Sequence, residues 1–297
     1  MNVKTIAIMG ATGHVGTGLS HLLLGRGLRV RAIGRNAEKL AALKGKGATT
    51  YSIDFTDSSA LAVAFTGACL VYTMISPGYE ADDFGRYQDL VSEAIVAALK
   101  RAKVKYVLNL SSLGAHLPEG TGPIAGLHRH EERLATLPDL NVVHLRPTSF
   151  MENFYWSTPT IKAEGIIASS LKANLPIAMI STRDIAEIAA KIIEGPEFTG
   201  TSVFELLGPE EVTMNSAAKI LENAIGKKIR FIELPYKDWE KVMLDAGMKP
   251  SAAGLFVEMA RAFNERKIAP TQTVSRGHRG KTRLSDFARE FARALQA

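Results

Sequence analysis

Thr5-Ile6-Ala7-Ile8-Met9 runs directly into Gly10-Ala11-Thr12-Gly13-His14-Val15-Gly16. The first stretch is a short apolar run ended by glycine, which reads as a buried strand. From His14 to Arg26, Val15, Leu19, Leu22 and Leu23 recur at helical spacing. The glycines therefore occupy the turn between a strand and a helix. Gly10 permits a tight turn, Gly13 lets bare backbone approach a pyrophosphate, and Gly16 lets helix and strand pack closely. The free N–H groups and positive end of the helix then face phosphate charge, so Gly10, Thr12, Gly13, His14, Val15 and Gly16 are the candidate phosphate cradle.

Outward from this loop the rhythm continues. Leu28 to Ile33 reads as a second strand, and Asn36 caps a helix through Leu43. Thr49–Ile53, Cys69–Ile75, Val104–Leu110 and Val142–Leu145 read as further strands. Ser58–Phe65 and Asp82–Lys103 read as the helices between them. Strands separated by helix-length segments imply right-handed crossovers and a parallel sheet covered on both faces. The expected fold is a Rossmann-type, doubly wound α/β sheet with a smaller, mostly helical C-terminal lobe. Residues 1–150 form the dinucleotide domain, and 151–297 complete the sheet edge and build a substrate-binding lobe. Helices are expected at Asp184–Glu194, Asn215–Ile225, Tyr236–Gly247, Ser251–Glu265 and Leu284–Leu295, short strands at Val203–Leu207 and Ile229–Leu234, and a long loop from Ile268 to Thr282.

Composition narrows the class. The chain has 297 residues, 46% hydrophobic and 22% charged, ordinary values for a globular protein with a sizeable core. Its sole cysteine, Cys69, excludes an intramolecular disulfide and a cysteine-built metal site; its apolar surroundings predict burial. Met1-Asn2-Val3-Lys4 leads into an apolar run too short for export, and no stretch is long enough to cross a bilayer. A cytoplasmic chain with no membrane partner is expected. The net charge of +6 is concentrated after Arg261, notably in Arg276-Gly277-His278-Arg279-Gly280-Lys281-Thr282-Arg283. Solvated basic surface is the ordinary reading of such a run, ahead of a nucleic-acid patch.

The end of the second strand selects the cofactor. NAD sites place a carboxylate there for the ribose 2′-OH, whereas NADP sites supply arginine. Here stands Gly34-Arg35-Asn36, so Arg35 predicts NADP(H) over NAD(H). Asp54 and Phe55 close the third strand; Asp54 suits either the adenine amino group or a helix cap, and Phe55 the ring edge. Ile75, Ser76 and Pro147 end strands near the crevice where open α/β sheets bind ligands.

The glycine loop, Gly34-Arg35-Asn36, Ile53-Asp54-Phe55, Leu110-Ser111-Ser112 and Leu145-Arg146-Pro147-Thr148-Ser149-Phe150-Met151-Glu152-Asn153 together resemble the NmrA-like family, atypical members of the short-chain dehydrogenase/reductase superfamily. The resemblance implies an NAD(P)-binding Rossmann domain with a small lobe. It also implies an activity among quinone and dye reductases, isoflavone-type reductases or regulators that bind dinucleotide without turnover. The wider superfamily's Tyr-x-x-x-Lys pair is missing: no tyrosine here has lysine four places on. At the expected place stands His128-Arg129-His130-Glu131-Glu132, where His128 is the candidate catalytic residue and a contact for the nicotinamide ribose. Its other reading is a solvated histidine beside acids. No metal site is expected, because His128 and Glu132 supply only two ligands.

Without the tyrosine, carbonyl reduction lacks its proton donor, as does sugar epimerisation. Quinones and dyes accept hydride into a conjugated system, so positioning would supply most of the catalysis. The expected function is an NADPH-dependent reductase of such a small-molecule acceptor by direct hydride transfer. The alternative is a noncatalytic NADP(H) sensor acting through a protein partner. Ser111 at the fifth strand's end, with Phe150, Phe154 and Tyr155, are candidate substrate contacts; core packing is the other reading of these aromatics.

Overall fold

The computed structural model describes residues 4–195, 197–272 and 275–296. Met1 to Val3, at the head of the segment weighed as a leader, lie outside these residues. So does the side chain of Arg276 in the basic run.

Strands and helices alternate through the first half: β1 (Thr5–Met9), α1 (His14–Gly25), β2 (Arg29–Gly34), α2 (Ala37–Lys44), β3 (Thr49–Ser52), α3 (Ser58–Phe65), β4 (Leu70–Met74), α4 (Phe84–Arg101), β5 (Tyr106–Leu110), α5 (Ile124–Ala135) and β6 (Asn141–Pro147). The second half adds a 3-10 segment (Met151–Ser157), α6 (Thr158–Glu164), β7 (Ile166–Ser169), α7 (Thr182–Glu194), β8 (Thr201–Leu206), α8 (Met214–Ile225), β9 (Arg230–Glu233), α9 (Tyr236–Asp245), α10 (Pro250–Asn264) and α11 (Leu284–Gln296). Seven parallel strands form one sheet in the order β3-β2-β1-β4-β5-β6-β8. Strand order reverses between β1 and β4, which places a crevice at their carboxyl ends.

Alternate side chains explain both layers. Ile6, Ile8, Tyr72 and Leu145 pack with Leu19 of α1 and Ile185 and Ile188 of α7. Ala7, Met9, Val71 and Val142 face the other way, against Leu61 of α3, Val91 and Ile95 of α4, and Leu134 of α5. The lobe has its own core, with Met151, Phe154, Ile167, Leu221 and Phe287 at its centre. It carries a second, two-stranded parallel sheet of β7 and β9.

One expectation changes. Cys69 is exposed rather than buried: β4 begins one residue later, so the thiol lies at the amino edge of the sheet. The backbone of the basic run holds the sheet edge, while the side chains of Arg279, Lys281 and Arg283 are exposed. Arg279 pairs with Leu207 just past β8, Gly280 N–H donates to Leu207 O (2.8 Å), Arg279 donates to Gly208 O (3.2 Å), and Arg283 pairs with Glu210. Among the described residues, no helix is long and apolar enough to cross a membrane.

Candidate functional site

The glycine turn is built to leave donors unspent. Gly10 adopts φ +63°, and its carbonyl accepts from Gly13 N–H (2.9 Å). Ala11 N–H donates to Ile33 O (3.0 Å), tying the turn to β2. A Cβ on Gly16 would lie 2.2 Å from Gly10 O, so no side chain fits there. Gly13 caps α1 with no side-chain acceptor, and the first turn holds no acid. The first-turn N–H groups of an α-helix have no intrahelical partner, and here they face the crevice beside a backbone with no Cβ. That arrangement fits the pyrophosphate of a dinucleotide. Val15 is buried, so it offers its N–H rather than its side chain; His14 is exposed, and Thr12 is half-buried beside Gly34.

At the end of β2, Arg35 is exposed, with its guanidinium 5.9 Å from the centroid of Phe55. Phe55 is buried, so it forms a floor beneath Arg35. Arg35 Nη1 donates to Tyr87 Oη (3.4 Å), and Tyr87 Oη lies 3.0 Å from the buried Ser76 Oγ. Asp54 is exposed and accepts from the N–H and hydroxyl of Thr56 (both 2.9 Å); the helix cap nearby is Asp57. Those bonds from Thr56 hold the Asp54 carboxyl below its usual range, and the Arg35 charge adds to them. Tyr87 was not singled out from the sequence. Only its place in the first turn of α4, which opens at the carboxyl edge of the sheet, could have pointed to it.

The ends of β5 and β6 carry a buried polar network. Ser111 Oγ donates to Glu131 Oε1 (2.5 Å), and Arg146 Nε donates to the same oxygen (3.0 Å). Arg146 also pairs with Glu131 Oε2, and both side chains are largely buried. Ser112 Oγ donates to Leu113 O (3.0 Å). Deeper in the same layer, Thr73 Oγ1 donates to Asn109 Oδ1 and Asn109 Nδ2 to His144 Nδ1, both at 3.1 Å. His130 is fully buried, with Nδ1 2.8 Å from Ser92 Oγ. His128 lies on another side of α5: Nδ1 donates to Ala115 O (2.9 Å), and Nε2 stands 3.4 Å from Glu132. The structure thus joins Ser111 to Glu131 and Arg146, not to His128. A signal existed: an arginine closing an apolar strand calls for a buried acid, and Glu131 sits one position after the core-facing His130.

The aromatics after β6 divide. Phe150 is half-buried against the sheet core, and Phe154 is buried in the lobe core, which removes it as an acceptor wall. Tyr155 stacks on His14 (6.0 Å, 9°) and packs on Phe287 and Phe291. Trp156 points to Tyr79 instead, 5.2 Å between centroids. Ile75 and Pro147 are buried at their strand ends.

A parallel sheet whose strand order reverses beside a bare helix N-terminus defines a Rossmann-type dinucleotide-binding protein. The chain belongs to the NmrA-like family, whose profile spans residues 2–281. It is 27% identical over 293 residues to a (4-alkanoyl-5-oxo-2,5-dihydrofuran-3-yl)methyl phosphate reductase of Streptomyces griseus, covering 98% of this chain and 99% of that one. It is 24% identical over 297 residues to an NAD(P)H azoreductase of Xenophilus azovorans, covering 98% and 99%. In fold it is similar to an NADPH-dependent quinone oxidoreductase of Escherichia coli solved with NADPH. There the TM-score is 0.78 at 24% identity, over 96% of this chain and 99% of that one.

Proposed function

We propose that this protein is an NADPH-dependent reductase of a flat, conjugated acceptor such as a quinone or a dye. Two full-length relatives are named as reductases, one of them of an azo substrate class, which supports the oxidoreductase reading. Gly10, Thr12, Gly13, His14, Val15 and Gly16 hold the pyrophosphate, and Arg35 meets the 2′-phosphate. Asp54 and Phe55 bound the adenine, and Ile75, Ser76 and Pro147 bound the nicotinamide half. His128 contacts the ribose or orients the acceptor. Phe150 and Tyr155 line its path.

The observation that carries the reading is where the hydroxyl protons at the β5 end go. The proton of Ser111 is committed to Glu131, and that of Ser112 to Leu113 O. Both oxygens can accept a hydrogen bond from a ligand, but neither is placed to protonate one. An alkoxide product needs an acid in the transition state. A reduced quinone takes its remaining proton from water, and a cationic dye becomes neutral on accepting hydride. Bound NADPH supplies that hydride; the chain's residues position and desolvate the pair.

The test is NADPH consumption against a panel of quinones and dyes, with Arg35→Ala as control. Acceptor-dependent turnover that weakens in the control is expected. NADPH binding without turnover on any acceptor would overturn the reading in favour of a dinucleotide sensor.

A further inference from the structure

β4 and β6 flank β5 in the sheet, yet the segments leaving their carboxyl ends meet. Tyr79 follows β4, and Trp156 lies in the 3-10 segment after β6. Their rings are 5.2 Å apart with planes at 83°. The contact therefore joins the segments that leave the two strands flanking β5. Phe256 of α10 backs Tyr79 at 5.9 Å, and Phe84 at the head of α4 packs on both, at 6.2 and 6.4 Å. This wall is fastened. Phe84 N–H donates to Ser251 Oγ (2.9 Å), Lys249 N–H donates to Tyr79 O (3.3 Å), and Lys249 Nζ pairs with Asp82 (2.9 Å).

One ring in the wall is left uncovered. Trp156 is 62% exposed, although three of its neighbours in the cluster are buried or half-buried. A perpendicular contact engages at most one face of the indole, so an aromatic face remains open on this wall. Aromatic pairs prefer offset-stacked or edge-to-face contact, and such a face rewards a flat, extended partner more than a compact one. The local charge is acidic: Glu80, Asp82 and Asp83 follow Tyr79, with Lys249 the cation against them. A cationic ring over an aromatic face gains further attraction.

We infer that Trp156 and Tyr79 form the stacking subsite for the acceptor, selecting neutral or cationic systems of two or more rings over single rings and over sulfonated analogues. The inference rests on the reductase reading, and its test separates the two. The chain has two tryptophans, and Trp239 lies in α9 outside the wall. With NADP+ bound, so that no turnover occurs, titrating Trp239→Phe with a naphthoquinone gives a saturable quench of the remaining indole. Trp156→Phe gives none. In turnover, Trp156→Ala raises KM for the naphthoquinone about tenfold, with kcat and NADPH affinity within about twofold. KM for a benzoquinone moves less than about threefold, and the sulfonated naphthoquinone binds more weakly throughout. An unchanged naphthoquinone KM in Trp156→Ala, with turnover intact, overturns the subsite and leaves the reductase reading standing. A saturable quench through Trp156 without turnover on any acceptor supports the subsite and sinks the reductase reading.

Discussion

α1 and α7 lie side by side on one face of the sheet, and both open at its carboxyl edge, but their N-termini are finished in opposite ways. They pack closely enough that a Cβ on Gly18 would sit 3.2 Å from Ala186 Cβ. The N-terminus of α7 is filled from within the protein. Glu152 accepts from Thr182 N–H (2.9 and 3.0 Å), from Thr182 Oγ1 (2.7 Å) and from Ser181 Oγ (3.1 Å). Asp184 in its first turn accepts from Lys281 and Thr282 N–H (3.0 and 2.9 Å) and from Thr282 Oγ1 (2.9 Å). Among the described residues, the N-terminus of α1 has no side-chain cap, and its first turn holds no acid. Helix N-termini favour negative charge. One of these ends has its anion built in, and the other is left for an anion brought by a ligand. The Glu152 that marks the Phe150-Met151-Glu152-Asn153 stretch is therefore a structural lock between lobe and sheet.

The largest effect should come from emptying the filled end. Glu152→Ala leaves several buried donors without an acceptor and is expected to cost about 3 kcal/mol of stability, read by chemical denaturation. Dinucleotide affinity of the folded fraction should stay within about twofold. A loss of affinity with stability intact would mean that the two ends are not divided in this way. Gly16→Ala should do the reverse. Its Cβ would press on Gly10 O and displace the turn, so NADP affinity should fall by at least about tenfold, with a smaller stability loss of about 1–2 kcal/mol. Calorimetric titration beside denaturation would show both.

Arg35→Ala sharpens the comparison at the far end of the same ligand. A charge-assisted bond to a 2′-phosphate is worth about 1.5–3 kcal/mol, so NADPH affinity should drop about tenfold or more. NADH lacks that phosphate and should be unaffected. Equal losses for both would assign Arg35 to the adenosine generally, by way of Phe55 and Tyr87.

The difference between the two helix ends also explains what was legible. The β1 turn, Arg35 and the strand–helix rhythm through β6 are local patterns, readable from neighbouring residues. α7 was readable too, but its locks were not, because Glu152 and Thr282 reach it from distant segments. β7 was missed because Ile166–Ser169 is short and pairs with β9, far along the chain. Phe154 and Tyr155 read together as substrate contacts, yet they and the adjacent Trp156 point three ways, since a 3-10 helix turns about once in three residues. Glu131 was overlooked beside His128 because only Arg146, on another strand, shows that it is buried.

The two layers also differ in how they treat positive charge. Glu131 is tolerated in the layer of α5 because Arg146 and Ser111 answer it. His130 has no such answer. It is fully buried, its Nδ1 meets only the Ser92 hydroxyl, and its Nε2 has no partner among the described residues. Burial lowers its pKa from 6.5 to about 3, with His144 and Arg133 adding to the shift. Burial lowers His144 as well. In the unfolded chain these rings bind protons below about pH 6.5, whereas in the folded protein His130 stays neutral. The unfolded state therefore holds more protons. Stability is full above pH 6.5 and falls as the pH drops toward 3, by up to about 1.4 kcal/mol per pH unit for each such histidine. Denaturation at pH 7, 6 and 5 should show this slope, in a window above the carboxylate titrations. His130→Asn should flatten it while keeping a bond to Ser92. An unchanged slope in that variant would mean that His130 is protonated in the folded protein, with a counter-charge reaching its layer.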